Sequence, residues 1–314
     1  TVGSHLVRGN TVSHCEQAGI VGSLGPVFSV VTGNTIHDIH VRQLFTGAEM
    51  AGIKFHAAID VEISHNHIYR TNRGLWLDWM AQGTHVHANL FHDNRTDEDL
   101  FVEVDHGPFL VDNNILLSGT SQRIVSRGGA YAHNLFCGGI HLIQYDKRLT
   151  PFMKAHSTEV AGLHDNPSGD MRFYNNVFAQ GGHLSPYNQA RLPMAVKGNV
   201  FLGAAKPSKQ EAAPLLEPDF DPAINLIEKD GAFQLEINLD NKWATEQHRD
   251  LVTTGLLGKA QIPNLPFVRA DNQSIRIDTD YSGRARNSGN PFPGPFERPE
   301  GGKQTISIPG TKKT

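Results

Sequence analysis

An asparagine recurs at near-regular intervals through the first two thirds of the chain, each time followed by a branched or aromatic pair of residues. The positions are Asn10, Asn34, Asn66, Asn89, Asn114, Asn134, Asn176 and Asn199. The gaps between them are 24, 32, 23, 25, 20, 42 and 23 residues, and the two long gaps fit coils that carry a loop insertion. A near-constant gap of this size is typical of a repeating coil.

This period predicts an all-β fold, a right-handed parallel β-helix in which each coil stacks on the one before it. Asn suits the corner of such a coil, because it tolerates left-handed backbone angles and its side-chain amide hydrogen-bonds to an Asn stacked on it. The alternative is an antiparallel β-sandwich with a turn about every 8–12 residues. A sandwich does not account for the long Asn spacing, so we favour the β-helix.

Two short segments in the middle of the chain alternate with the period of a strand. In the first segment Leu75 and Leu77 alternate with Trp76 and Asp78; in the second, Leu100, Val102 and Val104 alternate with Phe101 and Glu103. Placing the two apolar sets level with each other places Asp78 level with Glu103, 25 residues later. The two carboxylates are therefore predicted to lie side by side on neighbouring strands.

The segment Gly52–Ala57 repeats the first of these patterns 22 residues earlier. It places His56 level with Asp78 and Lys54 level with Trp76. These positions predict one row of side chains on the outward faces of three neighbouring strands. It consists of His56, Asp78 and Glu103, and we call it the displayed row.

The predicted spacing of the carboxylates favours one kind of glycoside hydrolysis. Carboxyl groups on equivalent positions of stacked strands lie roughly 5 Å apart. Retaining glycosidases need about 5–5.5 Å between these groups, whereas inverting enzymes need about 6.5–9.5 Å. We therefore expect a retaining mechanism that uses Asp78 and Glu103. Trp76, Trp79 and Phe101 are expected to face a sugar, since such rings displayed together to water indicate a binding surface.

Four further residues are candidates for substrate binding. Glu49 lies in the loop before the first of these strands, His56 belongs to the displayed row, and His106 follows the last strand. His156 ends a polar, aromatic and basic insertion, 145–156, which we expect to form a wall of the site. The alternatives are a solvated loop residue for Glu49 and a turn-capping histidine for His106.

The sequence predicts no metal site, and no cofactor is expected to be required. The histidines that stand two residues apart in pairs are His65, His67, His85 and His87. No cysteine or carboxylate completes a ligand set with them, so structural roles are favoured. The run Asp97-Glu98-Asp99 leaves structural calcium open, with a solvated acidic turn as the favoured alternative.

Composition and charge exclude several classes of function. The 39% of hydrophobic residues include no apolar run of 18, which excludes a transmembrane helix, and no signal peptide is evident at the start. The net charge is −4 and the sequence has no basic stripe, so nucleic-acid binding is not expected. Cys15 and Cys137 lie several coils apart, which permits a reducing compartment and favours the cytoplasm over secretion. The oligomeric state, including a homo-oligomer, stays open.

The chain is predicted to have two parts. Residues 1–205 form the β-helix with the catalytic region, and residues 206–314 form strands and loops packed on its flank. This second part is expected to contain strands at 231–239 and 274–278 and an irregular stretch from 287 to 299. No segment caps the first coil, so we expect these residues to be the C-terminal part of a longer polypeptide.

Four stretches carry a resemblance to a known family. They are Gly74-Leu-Trp-Leu-Asp-Trp-Met-Ala-Gln-Gly83, Asn89-Leu-Phe91, Asp99-Leu-Phe-Val-Glu-Val-Asp-His-Gly-Pro108 and Leu110-Val-Asp-Asn-Asn114. They resemble the catalytic segment of the β-xylosidases of glycoside hydrolase family 120, densely over residues 45 to 180. The resemblance implies a right-handed parallel β-helix with an added β-sandwich, and exo-acting, retaining release of xylose from xylo-oligosaccharides. It also implies Asp78 as nucleophile, Glu103 as acid/base and Glu49 as a substrate contact.

Other functions compatible with the sequence stay open. One is another β-helix carbohydrate enzyme, such as a fucosidase-like hydrolase or a polysaccharide lyase. A lyase would need a calcium site of several carboxylates and a basic residue that abstracts a proton, for which Lys54 is a poor substitute. Another is a non-catalytic glycan-binding solenoid that uses the same aromatic surface.

Overall fold

The computed structural model describes residues 3–44, 47–94, 98–230 and 232–308. Within these residues the first two thirds of the chain coil into three sheets, to which successive coils contribute one short strand each. Neighbouring strands in all three sheets run parallel. The fold is therefore the predicted parallel β-helix.

The sheets are numbered in the order in which the chain enters them. Sheet 1 contains Leu6–Arg8, Val30–Thr32, Glu62–Ser64, Thr84–His87, Phe109–Asp112, Gly129–Ala132, Arg172–Tyr174 and Ala195–Lys197. Sheet 2 contains Thr11–Ser13, Thr35–His37, His67–Tyr69, Leu90–His92, Ile115–Leu116, Leu135–Phe136, Val177–Phe178, Val200–Leu202 and Leu215–Glu217. Sheet 3 contains Ala18–Gly22, Ala51–His56, Leu75–Asp78, Leu100–Glu103, Thr120–Val125 and Gly139–Leu142.

The repeated asparagines form a hydrogen-bonded ladder at the corner that leads into sheet 2. Each ladder oxygen accepts from the backbone N–H and the side-chain amide of the Asn one coil earlier, at 2.9–3.0 Å. The ladder runs from Asn10 to Asn199 and ends on Glu211, whose Oε1 accepts from Asn199 at 3.0 and 3.2 Å. The predicted register of the coils, including its two long gaps, is confirmed.

Left-handed backbone occurs one residue before each ladder asparagine and not at the asparagine itself. The residues are Gly9, Gly33, His65, Ala88, Asn113, His133, Asn175 and Gly198, with φ between 52° and 79°. The prediction that the ladder Asn supplies the left-handed angle is therefore wrong. The residue before it makes the turn, and the asparagine side chain serves the ladder.

Sheet 3 has the register that the sequence predicts for the displayed row. His56 pairs with Asp78, and Asp78 pairs with Glu103. Gly52 and Gly74 stand at the start of two of these strands, where the coils approach closely. A Cβ atom on Gly52 would lie 2.7 Å from the carbonyl oxygen of Gly74, so a larger residue would push the coils apart.

The inner faces of the three sheets pack into one apolar column. Rings from successive coils stack along it: Phe136 on Phe178 and Phe178 on Phe201, with centroids 4.9 and 5.0 Å apart. Each coil therefore stabilises the next, as in other solenoids.

The longest insertion folds as an antiparallel hairpin. Its strands are Tyr145–Met153 and Val160–Pro167. Thr150 Oγ1 donates to the carbonyl of Val104 at 2.9 Å, and the Gln82 amide exchanges hydrogen bonds of 2.9 and 3.0 Å with the backbone of Met153. Val104 and Gln82 follow two neighbouring strands of sheet 3, so the hairpin lies beside the ends of these strands.

The region after the parallel sheets forms shorter elements. The strands Asn225–Lys229, Ala232–Leu239 and Gly302–Ile308 form one antiparallel sheet, and Lys259–Ala260 and Leu265–Pro266 form another. The 3₁₀ helices are Ser185–Gln189 and Asn241–Ala244, and the α-helix is Thr254–Leu257. No helix in the described ranges is long and apolar enough to cross a membrane.

This C-terminal region packs on two of the three outer faces. Phe233 and Trp243 join a core cluster with the outer side chains of sheet 2, and Val252 and Phe267 join one with those of sheet 1. Neither cluster includes a sheet 3 residue among those described. The predicted packing on the flank is confirmed, and it leaves the face of sheet 3 that carries the displayed row uncovered by the C-terminal region.

One detail of this region differs from expectation. Residues 274–278 form isolated bridges and not a strand, because Ile275 and Ile277 pack against sheet 1 without a continuous hydrogen-bonding partner. The irregular stretch from 287 to 299 is confirmed.

Sheet 2 includes Leu215–Glu217, which lies beyond residue 205, and the domain boundary at 205 stays a prediction. Gly231 and the tail Lys312–Thr314 lie outside the described residues.

Candidate active site

The two predicted catalytic carboxylates project from paired positions of neighbouring strands. Asp78 ends the strand Leu75–Asp78 and Glu103 ends the strand Leu100–Glu103, and the two residues are register partners. Paired strands lie about 4.8 Å apart, so the carboxyl groups start from positions at that separation. The Asp78 side chain is 7% exposed and that of Glu103 is 14% exposed. Both groups are therefore largely withdrawn from water.

Lys54 holds Asp78 from the coil before it. The Lys54 side chain is only 1% exposed, and its Nζ lies 2.7 Å from Asp78 Oδ2. His56 Nε2 lies 2.9 Å from the same oxygen. The other oxygen, Asp78 Oδ1, is buried and has no hydrogen-bond partner among the described residues. A buried carboxylate oxygen without a partner is costly, and such groups often mark functional sites.

Glu49 joins this group from the loop before the strand. Its Oε2 lies 2.5 Å from Lys54 Nζ, so the lysine bridges Glu49 and Asp78. One ligand atom from each of Glu49, His56 and Asp78 lies within 4.8 Å of the others, a spacing that would suit a metal ion. Lys54 Nζ contacts all three residues, with 3.1 Å to His56 Nε2. The ammonium group therefore takes the position that a cation would occupy.

Both oxygens of Glu103 have partners. Trp76 Nε1 donates to Oε2 at 3.1 Å, and the Arg148 guanidinium donates to Oε1 at 2.7 Å. Arg148 belongs to the hairpin, 45 residues further along the chain. The hairpin therefore reaches the displayed row, which we also call the carboxylate row, at Glu103. The insertion was expected to form a wall of the site, and this contact agrees with that expectation.

The expected open aromatic wall is wrong for two of its three members. Trp76 and Phe101 are buried. Cations cover their faces: Arg73 lies over Trp76 with 4.8 Å to the ring centroid, and Arg123 lies over Phe101 with 4.7 Å. Trp79 is 39% exposed beside His56 and remains available to a ligand.

Asp105 is a third carboxyl group in this region, which the sequence pattern did not single out. It is fully buried, and one oxygen accepts from the Ala81 backbone N–H at 2.7 Å. Burial, and then the negative charges of Asp78 and Glu103, raise the pKa of Asp105 well above its usual range. Asp105 therefore takes up a proton more readily than an ordinary aspartate does.

The contacts of His106 among the described residues are with the hairpin and with Arg127 and not with the carboxylate row, so they do not support its predicted role as a substrate contact. It is buried, with Nε2 2.9 Å from Thr150 Oγ1 and Nδ1 accepting from Arg127 Nε at 3.2 Å. Burial and the charge of Arg127 lower its pKa to about 4. Its interactions anchor the hairpin to the coil.

His156 lies between the two strands of the hairpin, at its tip. Its Nδ1 contacts Asp60 Oδ2 at 2.9 Å, and burial raises the pKa of Asp60. Beside this pair a cleft of about 480 Å³ lies between sheet 1 and the C-terminal region, lined by Asp60, His85, Phe267 and Arg269 among others. None of the cleft's lining residues belongs to the carboxylate row. The contacts of His156 thus tie the hairpin tip to the Asp60 coil.

The remaining histidine pairs have structural partners. His85 Nε2 lies 2.5 Å from Asp112, and His67 Nε2 lies 2.7 Å from His92 Nε2. His87 Nε2 lies 3.4 Å from Glu62, and the His65 ring lies edge-on to His87. The expected structural roles agree with these contacts.

The acidic run is not the solvated turn that the sequence favoured. Asp97 lies outside the described residues, but Glu98 and Asp99 are buried. Glu98 pairs with Arg73 at 2.8 Å, and Asp99 accepts from Asn94 and from the backbone of Ser118. Burial raises the pKa of Asp99 to about 7.

Three features of the site escaped the sequence pattern: the bridging position of Lys54, the contact of Arg148 with Glu103, and the burial of Asp105. Lys54 carried a signal, since its register with Trp76 was predicted and is confirmed. Arg148 carried a weaker one, as a basic residue in the longest insertion. The hairpin's return path across the coils could not be predicted from strand periodicity.

Comparison with known protein families agrees with this architecture. The family described as "Right handed beta helix region" matches residues 1–150. No protein with a curated description matches the chain.

Two solved structures match the chain. The structure described as "The complex structure of XylC with xylose" matches with a TM-score of 0.93 and 36% sequence identity, over 98% of this chain and 52% of that chain. The chain thus spans about half the length of XylC. The "Crystal structure of pectate lyase Pel9A" matches with a TM-score of 0.50 and 14% identity, over 91% of this chain and 69% of that chain, which indicates a shared fold alone. The chain is therefore a right-handed parallel β-helix protein, and the resemblance to glycoside hydrolase family 120 that its central segment carries is confirmed over almost its whole length.

Proposed function

We propose that the chain carries the active site of a retaining glycoside hydrolase, an exo-acting β-xylosidase that releases xylose from xylo-oligosaccharides. The observation that carries this proposal is the pairing of Asp78 with Glu103 on adjacent parallel strands. The strand separation of about 4.8 Å suits the spacing of roughly 5–5.5 Å that retention requires better than the spacing of about 6.5–9.5 Å that inversion requires. The match to XylC, which was solved with xylose, supports the choice of sugar.

Asp78 is the proposed nucleophile. Lys54 and His56 both contact Oδ2 and fix the orientation of the carboxylate, while Oδ1 has no partner among the described residues. We assign Oδ1 to the attack on the anomeric carbon, which forms a glycosyl ester as the bond to the leaving oxygen breaks.

Glu103 is the proposed acid/base. It gives its proton to the leaving oxygen in the first step and takes a proton from the attacking water in the second. The Trp76 indole N–H, 3.1 Å from Oε2, fixes the plane of the carboxyl group. The fixed position matters because proton transfer requires hydrogen-bond contact with the reacting oxygen.

The substrate contacts are proposed on exposure and position. Glu49 and His56 approach Asp78 from the earlier coil, and the exposed ring of Trp79, the next residue along the chain from Asp78, lies edge-on to His56. Flat rings and carboxylates suit the faces and hydroxyls of a sugar. Trp76 and Phe101 are assigned to the support of the row, because both rings are buried beneath arginine side chains.

We propose that turnover requires no metal ion, because Lys54 supplies the positive charge between Glu49, His56 and Asp78. Release of xylose from xylobiose and from an aryl β-xyloside should therefore be unchanged by a chelator. An unsaturated, ultraviolet-absorbing product would indicate a lyase instead. Binding of the oligosaccharide without turnover would indicate a glycan-binding solenoid.

Azide rescue tests the two roles. Glu103→Ala should still form the glycosyl-enzyme from a nitrophenyl β-xyloside, whose leaving group needs no proton, and azide should then release β-xylosyl azide. Asp78→Ala is the matched variant, and it should lose activity on every substrate. NMR of the product gives the anomeric configuration. An α-azide from Glu103→Ala would mean that the roles are reversed, and an absence of rescue in both variants would argue against a retaining pair.

A further inference from the structure

The hairpin places one guanidinium between two carboxylates. The Arg148 guanidinium lies 2.7 Å from Glu103 Oε1 and 3.0 Å from Asp146 Oδ2, so the same cation has a partner in the row and a partner in the hairpin. Asp146 also accepts from the Arg148 backbone N–H at 2.8 Å, which keeps Asp146 beside it. The Arg148 side chain is 41% exposed and has room to move.

The hairpin backbone at this point is held by hydrogen bonds, and the Arg148 side chain is bonded to both carboxylates at once, since its Nε also donates to Asp146 Oδ1 at 3.0 Å. Asn166 donates to the carbonyl of Arg148 at 3.0 Å, and Thr150, two residues on, is bonded to the coil through Val104. Loss of the contact between Arg148 and Glu103 therefore needs only a rotation of the arginine side chain. No movement of the hairpin is required.

Charged and titratable groups surround Glu103 on several elements. They are Asp78, Lys54 and His56 on the preceding strands, Arg123 on the following strand, Asp105 on the same segment, and Asp146 and Arg148 on the hairpin. Lys54 is engaged by Glu49 and Asp78, and Arg123 lies over the Phe101 ring. Among the described cations, Arg148 is the one paired directly with Glu103.

This arrangement matters because an acid/base must change its charge twice in each turnover. It is neutral before it protonates the leaving oxygen and ionised before it accepts the proton of water. A guanidinium held permanently on the carboxylate would stabilise only the ionised form. A second partner for the guanidinium removes this difficulty.

We propose that Arg148 is a positioning residue that stays on Asp146 throughout turnover and contacts Glu103 only while Glu103 is ionised. This inference rests on the proposed function and names a control of the same site. In the first step Glu103 gives its proton to the glycosidic oxygen, the Asp78 ester forms, the alcohol leaves, and Arg148 engages the new Glu103 carboxylate. In the second step water attacks the anomeric carbon, its proton passes to Glu103, Asp78 is released as a carboxylate, and the contact of Arg148 with Glu103 breaks while its bonds to Asp146 stay.

The test is the pH profile of kcat/KM on an aryl β-xyloside in four single variants. Arg148→Gln removes the cation that favours the Glu103 carboxylate, so the basic limb of the profile should move to higher pH by about 0.5–1 unit. Asp146→Asn removes the competing partner, so Arg148 stays on Glu103 and the basic limb should move to lower pH by a similar amount. Arg148→Lys should restore most of the wild-type profile. Lys147→Gln, on the exposed neighbour, should leave it unchanged.

Shifts in opposite directions for the two main variants are the expected result of charge contacts around Glu103, and a loss of packing alone would not give them. Circular dichroism melting of each variant shows that it is folded. Shifts in the same direction, or shifts no larger than that of Lys147→Gln, would overturn the role of Arg148 while leaving the proposed function intact. Absence of hydrolysis by the wild-type protein would overturn the proposed function, and this inference with it.

Discussion

Lys54 is the residue on which the geometry of the carboxylate row depends. Its ammonium group is buried and is the direct link between Glu49 and Asp78. It also lies over the Trp76 ring, 4.1 Å from the centroid. A buried ion pair of this kind contributes little net stability as a pair, but the loss of one partner leaves the other charge unpaired.

Lys54→Met should therefore lower the free energy of unfolding by about 3 kcal/mol and abolish most activity. The double variant Lys54→Met/Asp78→Asn should recover part of the stability but none of the activity, because it removes the unpaired charge together with the nucleophile. Urea denaturation of the single and double variants measures the first effect. If the stability loss of the double variant equals the sum of the losses from Lys54→Met and Asp78→Asn alone, the direct pairing of Lys54 with Asp78 would be contradicted.

The Asn ladder is the element that sets the spacing of the coils. Asn114 accepts from the backbone N–H of Asn89 and donates to the carbonyls of Val86 and Asp112, all buried. Asn114→Ala should lower the free energy of unfolding by roughly 2–4 kcal/mol, since it leaves buried backbone groups unsatisfied. Asn10→Ala, at the exposed end of the ladder, is the matched control and should cost less than about 1 kcal/mol. Equal losses of unfolding free energy in Asn114→Ala and Asn10→Ala would show that the burial of the ladder hydrogen bonds does not determine their contribution to stability.

The end of the ladder is expected to respond to pH. Burial raises the pKa of Glu211 to about 7, above its ordinary value of 4.5. The folded state therefore favours the protonated carboxyl, and its contribution to stability is fully present below pH 4.5 and is lost as the pH rises through about 7. Glu211→Gln retains an oxygen that accepts from Asn199 but cannot ionise. Between pH 4.5 and 8 the wild type should lose roughly 3 kcal/mol more than this variant, and parallel pH curves from urea denaturation would be the contrary result.

At the scale of the whole molecule, the C-terminal region stabilises the solenoid without entering the carboxylate row. Phe233 packs on the rings of His67, Tyr69 and His92 on sheet 2. Phe233→Ala should therefore lower the free energy of unfolding by about 3–5 kcal/mol while leaving kcat unchanged below the melting temperature. Thermal melting and kinetics at 20 °C below Tm provide the comparison. A loss of kcat at full stability would mean that this region contributes to the site.

The coil register was predictable because each strand has one packed face and each corner has one Asn, so a slip of one residue would bury the wrong side chains. That register alone placed Asp78 beside Glu103 and His56 beside Asp78. The left-handed residue before each ladder Asn was not predictable, because Gly, Ala, His and Asn all occupy it. The burial of Trp76 and Phe101 also escaped prediction, because it depends on arginines from other positions that cover their faces.

The contacts made by the hairpin could not be predicted from strand periodicity, for a further reason. The pairing of Arg148 with Glu103 and the anchoring of His106 by Thr150 depend on the path by which the insertion returns across the coils. Sequence spacing says that an insertion exists, but not which coil it meets. The sequence therefore predicted which residues of neighbouring strands stand side by side in the displayed row, but not which residues of the hairpin contact them.

The proposed function depends on Asp78 as the group that attacks the sugar and on Glu103 as the group that transfers the proton. Trapping the intermediate with a 2-deoxy-2-fluoro-β-xyloside that bears a good leaving group tests it most directly, since the fluorine slows release of the glycosyl-enzyme. Peptide mass spectrometry should find the mass of one fluoro-sugar on the peptide that contains Asp78, and Asp78→Asn should remain unlabelled. A label on another residue, or hydrolysis with inversion and no label, would contradict the account.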